Sequence, residues 1–267
     1  MILTFTIIFF LLGLIIGSFL NVVIFRWGTR KSFFESFSGR SACLSCGRQL
    51  AWYELIPLFS FLGLKGRCKT CKAKISIQYP LVELATGTIF AFLFFKFSDV
   101  LFTSAPLFAV TYVYYAITFS LLLVIVAYDW RHKIIPDILA LIFGILAFAG
   151  LFLFDRSSWF TLLSGIFTAL PFALFWLLSR GRWMGLGDAK LALGIGWLLP
   201  ISLALSALAI AFWSGAIIGI IMIILSKSGK IRLLSSFRGM KSEIPFAPFL
   251  VLGTFLAFIF ELNFFNI

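Results

Sequence analysis

Apolar stretches long enough to form membrane-spanning helices recur from one end of this chain to the other, and they constrain its fold more than any other feature. A helix of about 20 apolar residues crosses the roughly 30 Å of hydrocarbon in a bilayer, where each segment must satisfy its own backbone hydrogen bonds. Hydrophobic residues make up 62% of the sequence and charged residues 12%, which is far from the composition of soluble domains. The sequence therefore predicts an all-α polytopic membrane protein.

We assign about eight transmembrane helices from these stretches. The sixth is too short to cross alone, but Gly194, Gly196 and Pro200 would suit either a tilted segment packed among its neighbours or a re-entrant one. The first stretch lacks the basic start and the small-residue cleavage site of a signal peptide, so we expect it to be retained. The predicted spans are 2–25, 80–98, 104–128, 134–154, 159–179, 189–199, 201–226 and 245–262.

Residues 26–79 differ from the rest of the chain because they are polar and basic and contain all four cysteines. Such a segment is expected to form a small domain outside the bilayer. The predicted organisation is therefore a first transmembrane helix over 1–25, a cytoplasmic loop domain over 26–79 and a transmembrane core over 80–267.

The net charge of +12 is distributed in a way that predicts membrane topology and gives no indication of nucleic-acid binding. Of the 22 Lys and Arg residues, 20 lie in four regions, whereas the other connections hold only Lys96 and Arg156. Loops rich in Lys and Arg remain in the cytoplasm. We therefore expect these four regions to face the cytoplasm, with both termini on the other side; the regions are 26–74, 131–133, 180–190 and 227–241.

The cysteines form two C-x2-C pairs, Cys43 with Cys46 and Cys68 with Cys71, and 21 residues separate the pairs. This spacing is typical of a structural Zn²⁺ site, in which four thiolates complete a tetrahedron and leave no position for a reacting water. Two disulfides are an alternative that a reducing cytoplasm disfavours, and a thioredoxin-like redox site lacks the surrounding βαβ pattern. We predict that zinc binds here and stabilises a segment with little apolar core.

Acidic residues are scarce, ten in all, and two of those that border predicted spans stand out. Asp129 follows the third span and Asp188 precedes the sixth, so two complete crossings separate them. An even number of crossings returns the chain to the same side, which predicts that both carboxyl groups lie at the cytoplasmic boundary and can meet. Two close Asp residues in a medium of low dielectric constant share one proton, so that one activates water and the other protonates a carbonyl. This is the chemistry of an aspartic peptidase.

The residues around Asp188 fit that chemistry. Gly185 and Gly187 place no side chains beside the acid, which would let an extended peptide backbone approach it. We include Lys190 with them as expected support for substrate binding and catalysis.

Structural explanations of the same acids remain open at the sequence level. Asp188 could cap the helix that follows it, and Asp129 could pair with Arg131 or Lys133. Asp137 is a competing acid, but a Pro-Asp pair is typical of a helix start. If both acids were only structural, the protein would be a noncatalytic membrane scaffold whose zinc loop docks a cytoplasmic partner.

Taken together, these features resemble the type IV prepilin peptidases, which are bifunctional leader peptidases and N-methyltransferases of pilus, type II secretion and competence systems. Presenilin-type proteases fit less well in helix number, and both they and archaeal preflagellin peptidases lack the four-cysteine loop. The first cysteine pair reads CLSC where many family members have CPxC, and WYE replaces the commoner WYD. The matching blocks are residues 17–26 (GSFLNVVIFR), the cysteine pairs, 52–60 (WYELIPLFS), 78–83 (QYPLVE), Asp129 with 135–137 (IPD), and 185–191 (GLGDAKL).

The resemblance implies a substrate, a cofactor and a location. The substrate would be a type IV prepilin or pseudopilin precursor whose short basic leader is removed before an apolar helix. The new N-terminal amine would then be methylated with S-adenosylmethionine, and Gly17, Asn21 and Glu83 are candidate participants; Glu83 could instead be a buried polar residue bonded between helices. The protein would lie among the lipids of the bacterial inner membrane, with its active site facing the cytoplasm.

Overall fold

The computed structural model describes residues 2–26, 41–182, 184–227 and 245–265. Within these ranges the regular structure is helical, and β pairing is limited to two isolated bridges in the cysteine loop. The all-helical prediction is therefore confirmed for the described residues. The helices are α1 (Ile2–Arg26), a 3₁₀ turn (Trp52–Leu55), α2 (Phe59–Gly63), α3 (Gln78–Thr103), α4 (Ala105–His132), α5 (Asp137–Leu153), α6 (Trp159–Ser179), α7 (Leu186–Leu198), α8 (Ile201–Lys227) and α9 (Ala247–Phe260).

Each of the eight predicted spans corresponds to one apolar helix of the structure. Five of these helices, α1, α3, α4, α6 and α8, are long and apolar enough to cross a membrane. The other three, α5, α7 and α9, have 17, 13 and 14 residues. Since a helix rises about 1.5 Å per residue, 14 residues reach only about 21 Å. The number of complete crossings therefore stays a prediction.

The chain divides into two compact units, Met1–Ala127 and Tyr128–Ile267. The first unit contains the cysteine loop, α1, α3 and most of α4. The second contains the last turn of α4 and all the later helices, and it therefore holds both Asp129 and Asp188. The organisation into regions 1–25, 26–79 and 80–267 stays a prediction.

Close backbone contact between α1 and α3 shapes the first unit. A β-carbon at Gly13 would lie 2.7 Å from the carbonyl oxygen of Thr86, and one at Gly17 would lie 2.7 Å from the Cα of Glu83. Small residues on apolar helices allow such close approach, because packing takes the place of the hydrophobic effect between spans. This contact fixes the start of α3 against the second half of α1.

In the second unit α7 is the helix that its neighbours enclose, since it contacts α5, α6, α8 and α9. A β-carbon at Gly194 would collide with the ring of Phe143, and one at Gly196 would collide with the hydroxyl of Thr168. The hydroxyl of Ser164 donates a hydrogen bond of 2.6 Å to the carbonyl of Gly196. This packing holds the first turn of α7, which carries Asp188, in a fixed position.

Candidate active site and metal centre

Asp129 and Asp188 form a buried pair in the second unit. Asp129 lies in the last turn of α4 and Asp188 in the first turn of α7, with 5% and 8% of their surfaces exposed. They are close enough for the charge of Asp129 to act on Asp188. The structure thus brings together two carboxyl groups that α5 and α6 separate in the chain.

Backbone N–H groups orient both acids. The carboxyl group of Asp129 accepts a hydrogen bond from the backbone N–H of Ala247, the first residue of α9. The carboxyl group of Asp188 accepts one from the backbone N–H of Gly185. The N-terminal ends of α7 and α9 therefore both point at the pair, and helix N-termini favour negative charge. Sequence reasoning missed Ala247, although the proline that follows it is a helix-start signal that could have indicated it.

The contacts of the three acids distinguish structural roles from a catalytic one. The N-cap of α7 is Gly185, so Asp188 is the third residue of the helix and bonds back to the capping residue. Asp137 begins α5, as the Pro-Asp pair predicts, and its 77% exposed side chain lies 2.6 Å from the ammonium group of Lys190. Among the three acids, only Asp129 and Asp188 are buried.

The two glycines near Asp188 differ in their surroundings. A β-carbon at Gly185 would have only the Gly187 nitrogen at 3.9 Å and the Asp188 Oδ2 at 4.0 Å as its nearest neighbours. A β-carbon at Gly187 would lie 2.8 Å from the Cβ of Ile135. Space for a peptide backbone is therefore present at Gly185, whereas Gly187 allows α7 to pack against the segment that precedes α5.

An apolar groove of about 660 Å³ runs between α5 and α7. It begins at the ion pair between Asp137 and Lys190 and continues to Trp197 near the end of α7. Gly144 contributes to the groove, and a β-carbon there would have no neighbour within 4 Å. The lining residues are Asp137, Ile138, Ala140, Leu141, Gly144, Ile145, Phe148, Lys190, Leu193 and Trp197.

The four cysteines of the loop meet at one point. Their sulfur atoms all lie within 4.8 Å of one another, and those of Cys43 and Cys71 are 3.8 Å apart. A tetrahedral zinc ion with Zn–S bonds of about 2.3 Å places its sulfur ligands about 3.8 Å apart. All four are free thiols in the structure. The geometry of the donor set therefore fits a metal ion and differs from two disulfides.

The two cysteine pairs share one backbone arrangement. An isolated antiparallel bridge joins the first and last residues of each segment, 42–49 and 67–74. The residue after the second cysteine of each pair has a positive φ, 69° at Gly47 and 57° at Lys72. This repeated turn brings both sulfurs of a pair toward the same point.

The backbone also favours the thiolate form that metals bind. The N–H groups of Cys71 and Thr70 lower the pKa of the Cys68 thiol to about 6. The N–H of Ala73 lowers the pKa of Cys71, but burial and the three neighbouring thiols outweigh it and raise that pKa to about 11. Four close thiols cannot all ionise by themselves, so a bound cation would stabilise the fully ionised set.

A partly buried ion pair supports the first cysteine turn. The guanidinium group of Arg48 donates hydrogen bonds of 2.6 and 2.9 Å to the Glu54 carboxylate, which also accepts from the backbone N–H of Ala51 at 2.9 Å. Arg48 holds the pKa of Glu54 below its ordinary value. Sequence reasoning noted Glu54 only as a departure from a family pattern, whereas its contacts show that it joins residues 48–54 into one structure.

The three residues that the sequence suggests for methylation lie together at the start of α3. Gly17 packs against the backbone of Glu83, and Asn21 donates a hydrogen bond of 3.0 Å to the carbonyl of Tyr79. Asn21 is 1% exposed, and its Oδ1 has no hydrogen-bond partner among the described residues. The Glu83 carboxylate accepts from the backbone N–H of Leu58 at 2.8 Å. The buried acceptor groups of Asn21 and Glu83 thus both lie beside the first turns of α3.

The fold and these sites define a membrane-embedded aspartic peptidase with a four-cysteine loop. The model of the bacterial peptidase A24 N-terminal domain matches residues 11–97, and that of the type IV leader peptidase family matches residues 116–220. The chain belongs to the type IV leader peptidase family. The resemblance inferred from the sequence motifs is therefore confirmed.

Curated relatives from several bacteria carry the name prepilin leader peptidase/N-methyltransferase. A Myxococcus xanthus protein is 36% identical over 82% of this chain and 64% of its own length. A Pseudomonas aeruginosa protein is 32% identical over 92% of this chain and 87% of its own, and a Bacillus subtilis protein 32% over 95% and 93%. The comparison with solved structures gave no match. The family and these names support an aspartic peptidase with methyltransferase activity.

Proposed function

We propose that this protein cleaves the short basic leader from type IV prepilin or pseudopilin precursors at the cytoplasmic face of the bacterial inner membrane, and that Asp129 and Asp188 are the catalytic pair. One observation carries the proposal: two buried carboxyl groups from separate helices are close enough for their charges to interact. Buried carboxyl groups are rare in apolar helices and indicate function.

The proposed chemistry needs one ionised and one protonated acid. The ionised carboxylate removes a proton from water, whose oxygen attacks the scissile carbonyl carbon, while the protonated acid donates its proton to the carbonyl oxygen. Collapse of the tetrahedral intermediate breaks the C–N bond: the leaving amine takes the proton that the first acid removed from water, and a hydroxyl of the intermediate gives its proton to the second, which restores one ionised and one protonated acid. The N–H groups of Gly185 and Ala247 hold the two acids in place during these transfers.

The groove between α5 and α7 offers a place for the apolar helix of the precursor. Beyond Asp137 and Lys190 at its start its lining residues are apolar or aromatic, and Lys190 is only two residues from Asp188. The space at Gly185 beside the Asp188 carboxyl group would admit the extended peptide at the scissile bond. A precursor bound in this way would place its leader among the basic residues expected on the cytoplasmic side.

The cysteine loop is proposed to bind one structural Zn²⁺ through Cys43, Cys46, Cys68 and Cys71. The sulfur separations and the backbone N–H groups around the thiols support this assignment. Four protein ligands complete the coordination sphere, so the ion would stabilise the loop and leave catalysis to the aspartates.

Methylation of the new N-terminus is proposed to use the cluster of Gly17, Asn21 and Glu83. S-adenosylmethionine would supply the methyl group. The Oδ1 of Asn21, which has no partner among the described residues, and the carboxylate of Glu83 are acceptors that fit an ammonium or a sulfonium group. Gly17 keeps α1 close enough to α3 for these residues to meet.

Cleavage of a synthetic precursor by the purified protein tests the proposal. The substrate should carry a basic leader, a Gly at the junction and an apolar helix, and mass spectrometry should identify the new N-terminus. Conversion to the mature peptide, followed by a gain of one methyl group when S-adenosylmethionine is added, is the expected result. A precursor left intact by correctly folded protein would refute the peptidase assignment.

A further inference from the structure

The segment between the two cysteine turns exposes large apolar side chains outside the long helices. This apolar segment, residues 52–63, consists of the 3₁₀ turn and α2. Phe59 and Leu62 lie three residues apart on α2 and therefore share one face. The exposed fractions are 78% for Trp52, 42% for Tyr53, 41% for Leu55, 39% for Ile56, 68% for Phe59 and 70% for Leu62. Exposed apolar surface of this kind indicates an interaction site.

A hydrogen bond fixes how deep this segment lies relative to α3. The backbone N–H of Leu58, in the middle of the segment, donates to the Oε2 of Glu83 at 2.8 Å. Glu83 is five residues from Gln78, where α3 begins, which is about 8 Å along the helix axis. α3 is a candidate membrane span, and Leu81 and Leu84 on either side of Glu83 are 57% and 45% exposed. Leu58 therefore lies at the level where α3 already presents an apolar surface.

Leu58 has an unusual backbone conformation, which indicates that its contacts hold the segment in place. Its φ of 59° and ψ of −51° form a combination that residues other than glycine rarely adopt. Such a conformation persists only when contacts hold it. Here the backbone N–H of Phe59 donates to the carbonyl of Pro57 at 2.6 Å, and Glu83 accepts from the N–H of Leu58 itself. The hydroxyl of Ser18 on α1 also donates to Glu83, so the acceptor itself is fixed by both helices.

The charge around the apolar segment is strongly positive. The only acid in residues 41–77 is Glu54, which is buried and paired with Arg48. The exposed surface of the loop is therefore complementary to an anionic partner. The exposed basic residues that follow the segment are Lys65, Arg67, Lys69, Lys72 and Lys74.

We propose that residues 52–63 insert into the headgroup region of the bilayer and that the five basic residues bind anionic phospholipid headgroups. Trp and Tyr favour the interface between water and lipid, and short apolar elements with adjacent Lys and Arg residues bind anionic membrane surfaces. The hydrogen bond from Leu58 to Glu83 sets the depth of the segment in the membrane. The exposed apolar side chains are buried among the lipids, and the basic residues select anionic lipids. This membrane anchor goes beyond the proposed function, since it requires neither cleavage nor methylation.

The depth of Trp52 in the full-length protein tests the anchor. The protein would be labelled with 5-fluorotryptophan, placed in nanodiscs of phosphatidylcholine with or without phosphatidylglycerol, and the Trp52 resonance assigned with Trp52→Phe. We expect a headgroup spin-labelled lipid to broaden this resonance, and a soluble gadolinium chelate to leave it sharp, in the anionic nanodiscs. Broadening by the chelate in both lipid compositions would overturn the proposal, and so would protection that arises only after a precursor peptide is added.

Variants separate the contributions of lipid charge and of depth. A Lys near an anionic surface strengthens membrane binding about fivefold. Lys72→Gln should therefore increase the broadening of the Trp52 resonance by the chelate in anionic nanodiscs, and it should have no effect in neutral ones. Glu83→Leu removes the acceptor for Leu58 and should release the segment, whereas Glu83→Gln keeps an acceptor oxygen and should retain it. Leu44→Ser is the matched control, because Leu44 is 84% exposed but lies outside the segment. Equal insertion of Trp52 in neutral and anionic nanodiscs would refute the role of the basic residues.

Discussion

The carboxyl groups of Asp129 and Asp188 interact although two apolar helices separate them in the chain. Neither acid acquires its surroundings from its own helix alone, since the first residue of α9 donates to Asp129 and the N-cap of α7 donates to Asp188. The site thus depends on three helix ends that meet in the second unit.

Replacing Asp129 or Asp188 with Asn should abolish precursor cleavage. Asn can neither activate water nor donate the required proton, so we expect the rate to fall by on the order of 10³-fold or more in each single variant. Time courses of leader release in detergent would measure the loss. Asp155→Asn is the matched control, because Asp155 lies in the turn after α5 with a φ of 54°, which Asn tolerates well. Full activity in either variant of the pair would exclude that residue from catalysis.

Replacing Cys68 with Ser should remove bound zinc from the loop. A serine hydroxyl does not ionise at neutral pH and cannot replace the thiolate, so the remaining three ligands hold the ion poorly. We expect one zinc per chain in the unaltered protein and far less in the variant, measured by elemental analysis under reducing conditions. Thr70→Ala changes a residue of the same turn that is not a ligand and should keep the metal. Unaltered protein that is purified in reduced form without zinc would contradict the metal assignment.

Filling the groove at Gly144 should weaken substrate binding without unfolding the protein. A β-carbon at Gly144 would have no neighbour within 4 Å, and Leu favours a helix more than Gly does. Displacing one apolar side chain of the substrate from the groove costs about 1.5 to 3 kcal/mol of binding free energy. Gly144→Leu should therefore raise KM about tenfold or more. Gly219→Leu is the control, since its β-carbon would also meet nothing within 4 Å, but on α8. Equal KM values for the two variants would show that the groove does not bind the substrate.

Glu83→Gln should impair methylation while leaving cleavage intact. Glutamine keeps the size of the side chain and an acceptor oxygen for Leu58 but removes the negative charge that would receive a cationic group. We expect the methylated fraction of the mature peptide to fall at least about tenfold at limiting enzyme, as followed by mass spectrometry in one reaction with S-adenosylmethionine. Cleavage in the same sample is the internal control, because both aspartates belong to the other unit. Normal methylation by this variant would exclude a role for the Glu83 charge.

The positions of the long helices follow from the sequence because lipid requires continuous apolar segments. The predicted span 159–179 coincides with α6, and the other predicted spans agree with their helices to within a few residues. The spacing of Cys43, Cys46, Cys68 and Cys71 likewise indicates their convergence, since each short pair dictates a turn. Helix count also predicts which helix ends lie on the same side of the membrane, and the structure brings Asp129 and Asp188 close enough to interact; the two complete crossings between them stay a prediction.

Other features depend on contacts that no local pattern encodes. The N–H of Ala247 reaches Asp129 from a helix more than a hundred residues away in the chain. Gly187 looks like an opening for substrate in the sequence, yet it packs against Ile135. The bond between Leu58 and Glu83 joins a loop to a helix through a single backbone group, which carries no side-chain signature. Such tertiary contacts are visible only once the helices are packed.

The enclosure of α7 has a consequence for the precursor. An acid on the first turn of a helix that four neighbours hold cannot travel far to meet a peptide bond. Peptide bonds inside an intact helix are shielded by their own hydrogen bonds and side chains, so the junction of leader and apolar helix must unwind before the aspartates can reach it. We therefore expect precursors whose junction loses its helical structure easily to be processed fastest.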